Sequence, residues 1–164
     1  MTERSAVSTR VSGLVRASPQ AVWDAFMDPA ALLEWLPPGR MTGEIHAFDG
    51  RVGGGYDMSL RYPPDETAFV GKTAAAEDRV RVRFDELDPP RRMVQAAIFD
   101  SPDPAFHGEM RIVITLEAAP GGTQVTMVHS NLPPGLKAAD DEAGSRESLD
   151  QLIRRFARAE VTKP

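Results

Sequence analysis

The sequence predicts an α+β fold: an antiparallel sheet of about seven strands, with the helices gathered on one face. Three observations carry this reading. Segments of alternating apolar and polar residues recur between residues 42 and 130, most of them closed by Gly or Pro turns. Two helix starts of the cap-plus-proline type, Ser18-Pro19 and Asp28-Pro29, follow a first strand. A single long amphipathic helix comes last. Consecutive strands bounded by helices make an antiparallel sheet, whereas a parallel one needs strands alternating with helices.

In order, residues 7 to 17 alternate loosely through Val7, Val11 and Val15 and read as a half-buried strand. Ser18-Pro19 opens a helix whose apolar face is Val22, Trp23 and Phe26, and Asp28-Pro29 opens a second that stops at Pro37-Pro38. Residues 42 to 49 are a weak strand. Residues 54 to 62 are the clearest one, with Tyr56, Met58, Leu60 and Tyr62 on one side and Asp57, Ser59 and Arg61 on the other. Residues 63 to 78 lack a period and read as a long loop. Strands follow at 79 to 87 (Val80, Val82, Phe84), 91 to 99, 109 to 117 (Met110, Ile112, Ile114, Leu116) and 123 to 130 (Val125, Met127, His129). The final helix, about Ala138 to Ala159, carries Leu149, Leu152, Ile153 and Phe156 at helical spacing. Acidic Asp140, Asp141 and Glu142 suit its start, and Arg154, Arg155 and Arg158 its end.

The 164 residues fit one domain, 1–164, large enough to bury a core without staples. The 13 Gly and 14 Pro lie largely in turns and at helix starts, so they punctuate short strands and do not signal disorder. The absence of Cys removes disulfide scaffolds, Cys-ligated zinc, iron–sulfur clusters and thiol catalysis. No apolar run of signal-peptide or membrane-span type occurs, and a net charge of -5 argues against general nucleic-acid binding. The expected setting is cytoplasmic, with no membrane or nucleic-acid partner.

A curved sheet closed over a long helix encloses concave apolar space, the usual place for a small molecule. The inward positions Tyr56, Met58, Leu60, Val82, Phe84, Ile112, Ile114 and Met127, with Leu149 and Ile153 of the helix, either fill a plain core or wall a ligand site. The seven Met residues suit an adaptable wall. His129 shares the inward parity and is either a hydrogen-bonding group of a pocket or a histidine satisfied by its neighbours. Trp23 reads as a core anchor, and Trp35, beside the Pro37-Pro38 stop, as part of a rim. Gly144 inside the last helix admits a ligand, a nearby strand or a slight bend. Gly53-Gly54-Gly55 has no following helix and no Lys-Ser/Thr pair, which makes it a turn and not a phosphate loop. His46 and Glu44 share a strand face without a third ligand, and His107 lies in a loop, so no metal is expected. Arg79, Arg81 and Arg83 read as a solvated outer face. No nucleophile elbow or catalytic triad context is present; catalytic residues and cofactors are both expected to be none.

The string ASPQAVWDAFMDPAALLEWLPP, the turn Asp49-x-Arg51-x-Gly53-Gly54, Glu86-Leu87 with Pro89-Pro90-Arg91, Gly121-Gly122-Thr123 and the following His129 together resemble a known family. It is the branch of the SRPBCC (START-like, polyketide cyclase-like) superfamily that contains homologues of the activator of heat-shock protein 90 ATPase. The likeness spans roughly residues 7 to 158. The family's Gly-Trp in the last helix is here Gly144-Ser145, a lost ring that would enlarge a cavity or open its mouth. The resemblance implies a helix-grip fold: about seven antiparallel strands around the C-terminal helix, over a hydrophobic cavity.

Three functions are compatible with it. The first is a binding module holding a hydrophobic or aromatic small molecule, with His129 and Tyr56 orienting a polar end. The second is an enzyme of cyclase, aromatase or hydrolase type, using His129 with a carboxylate such as Glu109. The third is a chaperone ATPase activator; known activators carry a further N-terminal domain, whereas the first strand here starts near residue 7. A homodimer through surface such as Phe69-Val70 is also compatible.

Overall fold

The computed structural model describes residues 8–63 and 77–161, with side chains through residue 157. Val7, residues 64 to 76, which include most of the expected loop and the expected Phe69-Val70 surface, and the Arg158 side chain lie outside the described residues. Seven strands form one antiparallel sheet: β1 (Ser8–Val15), β2 (Thr42–Asp49), β3 (Gly55–Arg61), β4 (Glu77–Asp88), β5 (Arg92–Phe99), β6 (Met110–Ala119) and β7 (Gly122–Ser130). Their order is β1-β7-β6-β5-β4-β3-β2. Every predicted strand is present, including the weak one at 42 to 49.

Helices α1 (Pro19–Met27) and α2 (Pro29–Trp35) connect β1 on one edge to β2 on the other. Both start as expected: the Ser18 hydroxyl accepts from the Ala21 amide, and the Asp28 carboxylate from the Ala30 amide, each with Pro at the first helical position. The last helix, α3 (Ala138–Val161), packs on β1 and α2. Gly13 faces this contact, where a Cβ would sit 2.9 Å from Ile153 Cδ1 and the Ile153 side chain would have to shift. Gly144, by contrast, faces nothing within 4 Å, so no neighbouring strand requires it. Arg146 ties α3 to the Ser12 carbonyl, and Ser148 and Gln151 tie it to the carbonyls of Leu36, Trp35 and Pro37. Arg155 pairs with Glu34 of α2.

The sheet bends where one strand carries an extra residue, between Ile45 and Ala47 and between Phe84 and Glu86. Its inner face, with α1, α2 and α3, encloses one core that includes Val11, Val15, Trp23, Phe26, Trp35, Phe84, Met93, Leu149 and Leu152. The architecture is the helix-grip fold.

The outer face is ionic. Arg79 grips Asp57 through two hydrogen bonds of 3.0 Å, Arg81 reaches Asp100, and Arg83 holds both Asp85 and Glu109. This is the solvated face expected of the three arginines, now with their partners. The hydrogen bonds from Arg79 hold the Asp57 carboxyl below its ordinary value of 3.8, against the opposing effect of burial. A carboxylate with a lowered folded value adds stability above its unfolded value and loses it as pH falls through the folded one. Asp57→Asn is therefore expected to cost about 1 kcal/mol or less near neutral pH. That gap should close as the pH falls below 3.8, as measured by denaturant unfolding in a descending pH series.

Candidate functional site

Strand register places five inward side chains in one row across the inner face. Thr9 of β1 faces His129 of β7, His129 faces Ile112 of β6, Ile112 faces Gln95 of β5, and Gln95 faces Phe84 of β4. Three of the five, Thr9, His129 and Gln95, are polar, which is unusual in a wall otherwise dominated by apolar and aromatic residues. Gln95 stands out: it is 6% exposed, and the one hydrogen bond its side chain makes among the described residues is from Nε2 to the Met93 sulfur, at 3.2 Å. Thioether sulfur is a weak acceptor. A buried amide so poorly partnered costs about 1–3 kcal/mol.

His129 is held by α3. Its Nδ1 lies 2.9 and 3.0 Å from the two carboxylate oxygens of Asp141, and the Thr9 hydroxyl donates to Asp141 Oδ2 at 2.5 Å. The two side chains of the pair are 12% and 7% exposed. A carboxylate only accepts, so Nδ1 carries a proton facing Asp141, and in the neutral ring Nε2 is the nitrogen left as an acceptor. This corrects the expected partner: Glu109 lies on the outer face with both oxygens on Arg83, which holds its carboxyl below the usual range. The first turn of α3, not a neighbouring strand, supplies the carboxylate.

The other expected wall residues divide by depth. Tyr56, Met58, Val82, Phe84, Ile114, Met127 and Leu149 are buried, while Leu60, Ile112 and Ile153 are half-buried. Tyr56 stacks on Phe48 and meets Phe84 edge-on, and burial pushes its phenol far above the ordinary value. Trp35 does not line a rim. It is 1% exposed, its indole N–H donates to the Ala25 carbonyl at 3.0 Å, and Phe26 packs against its ring edge-on at 4.7 Å. The half-buried inward residues Leu60, Val80, Phe99, Ile112 and His129 share one end of the sheet. The segments 100–109 and 131–137 flank that end, joined by a hydrogen bond from the Gly135 amide to the Ala105 carbonyl.

Other places are less promising. A shallow hollow of about 330 Å³ on the outer face is bordered by Ala47, Gly55, Ile98 and the already paired Arg81 and Arg83. His46 bonds Ser59 and His107 bonds the Ser101 carbonyl. Among the described residues no group of His, Asp and Glu is placed to hold a metal, and no helix is long and apolar enough to cross a membrane.

Comparison with known proteins agrees with the fold. No curated protein matches the chain. The protein CV1439 from Chromobacterium violaceum has a similar structure, with a TM-score of 0.78 and 27% identity over 92% of this chain and 97% of its own. A protein from Arthrobacter aurescens is similar at a TM-score of 0.76 and 18% identity, covering 96% of this chain and 89% of that one. DynU16, from the dynemicin biosynthetic locus, gives a TM-score of 0.65 at 22% identity, over 92% of this chain and 47% of its own length. The family model "Activator of Hsp90 ATPase homolog 1-like protein" matches residues 16–157. With the helix-grip architecture, that match over most of its length means the chain belongs to the Activator of Hsp90 ATPase homolog 1-like family, within the SRPBCC superfamily.

Proposed function

We propose that the protein binds an apolar or aromatic small molecule between the inner face of its sheet and α3, entering at the end marked by Ile112 and His129. The observation that carries this reading is Gln95: an amide buried in an apolar wall with only a thioether for a partner. Such a group is costly in a filled core and useful in a binding site, where it orients a ligand.

The test compares stability with binding. Gln95→Leu removes the poorly partnered amide and keeps the volume, so the free protein should gain about 1–3 kcal/mol. That gain corresponds to roughly 2–12 °C in Tm for a chain of this size. The same variant should retain less of whatever apolar compounds the wild type carries from a cell extract through gel filtration, read by native mass spectrometry. A wild type that retains no compound, or a Gln95→Leu variant that loses stability and retains the same compounds, overturns the reading.

A second reading is an enzyme of cyclase, aromatase or hydrolase type, and one observation favours it. Asp141 orients His129 and leaves Nε2 as a base, the arrangement that general base catalysis uses. His129→Gln would then abolish turnover of a bound compound while leaving its binding largely in place.

A further inference from the structure

From the transverse row we infer the class of molecule the site takes: a rigid two-ring compound with a hydroxyl at one end and a second hydroxyl or carbonyl at the other, spanning His129 and Gln95 across Ile112. This rests on the binding reading above and specifies its ligand.

Three features of the row lead to it. First, the two polar groups have complementary chemistry. In its neutral form, with the proton on Nδ1 facing Asp141, His129 presents Nε2 as an acceptor and so calls for an O–H donor. Gln95 offers both a carbonyl oxygen and an N–H pair, and accepts either a hydroxyl or a carbonyl. Second, the spacing is set by the sheet. His129 and Gln95 are each directly opposite Ile112, so two strand spacings, roughly 8–10 Å, separate them. A two-ring frame lying across Ile112 holds its terminal oxygens at a comparable separation, one over each polar group. Third, what lies between and beyond is apolar. Ile112 forms the floor between the polar groups, and Phe84 closes the row past Gln95 with its ring at 0% exposure. A flat hydrocarbon body fits such a surface, and charged ends do not, because neither His129 nor Gln95 would neutralise a buried anion.

Asp141 acts as a positioning residue. Bonded by Thr9 and placed on the first turn of α3, it fixes which imidazole nitrogen faces the ligand.

The experiment titrates wild type with 2,6-dihydroxynaphthalene, 2-naphthol and naphthalene, following displacement of an apolar fluorescent dye. In a merely apolar site each hydroxyl weakens binding, because its desolvation goes unreturned. With both partners present the order reverses: the diol binds tightest and naphthalene weakest, by about three- to tenfold per hydroxyl. Gln95→Leu, a variant expected to fold well, should reduce the diol to the affinity of 2-naphthol and leave naphthalene unchanged or tighter. His129→Phe should give the same loss at the other end. If naphthalene binds tightest to wild type, or Gln95→Leu treats the three compounds as wild type does, the inference is overturned while the binding reading stands. If none of the three displaces the dye from folded wild type, both fall.

Discussion

Replacing Trp35 with alanine is expected to lower stability by about 3–5 kcal/mol, the cost of emptying a large aromatic site in a close-packed core. For a chain of this size that is roughly 6–20 °C in Tm. The indole is 1% exposed, packs edge-on against Phe26, and donates to the Ala25 carbonyl at the end of α1. The adjoining carbonyls of Trp35, Leu36 and Pro37 receive Gln151 and Ser148 of α3. A collapse at Trp35 therefore reaches the contact between the two helical layers. Trp35→Phe keeps most of the buried ring but leaves the Ala25 carbonyl without its donor, for an expected cost of about 1–3 kcal/mol. Thermal or denaturant unfolding of both variants checks this. A Trp35→Ala loss below about 0.5 kcal/mol, the range of ordinary surface substitutions, would return Trp35 to a rim.

Trp35 also shows where a one-dimensional reading stops. Period-two patterns placed β3, β4, β6 and β7 and their inward residues, because one buried face imposes alternation. Local caps placed α1 and α2, since Ser18 and Asp28 act on amides two or three residues away. Whether α2 lies exposed or beneath α3 depends on a packing partner more than a hundred residues later, and no local pattern carries that information.

The same limit explains the two polar groups of the site. β5 is the middle strand of seven, and Val94 and Ala96 on its outer side are buried like Met93 and Ala97 on its inner side. A strand buried on both faces loses its alternation. Gln95 consequently has no readable parity, and the only signal is a lone amide within MVQAAIF. His129 was legible as inward, but its partner was not. Glu109 is close to it along the sheet, yet it sits on the outer side and belongs to Arg83, whereas Asp141 arrives from α3. Asp141 suits the positive start of α3 on electrostatic grounds and also holds His129, so it serves both roles.

The Gly-rich turn before β3 permits a second test with a large effect, in which two neighbouring glycines should behave very differently. Gly53 has φ +87° and open space around it; a Cβ there meets nothing within 4 Å. Gly53→Ala should cost only the conformational strain, about 1–3 kcal/mol. Gly55 has φ +145°, and a Cβ there would lie 1.8 Å from the Val82 carbonyl oxygen. The obstacle is the backbone of β4, which cannot rotate aside as a side chain does. Gly55→Ala adds to the strain a forced separation of β3 from β4, itself costing about 1–3 kcal/mol or more by analogy with overpacked cores. A total of about 2–6 kcal/mol follows, above the cost at Gly53 by the cost of the separation. The consequence reaches the site, because the Gly53 amide donates to the Phe84 carbonyl and the Phe84 amide donates to Gly54, fixing the residue that faces Gln95. Denaturant unfolding should rank Gly55→Ala far below Gly53→Ala. At a temperature where both variants remain folded, only Gly55→Ala should weaken binding of the naphthalene diol. Equal stabilities for the two variants would mean that β3 and β4 part without cost at this point, and that this turn does not hold Phe84 in place.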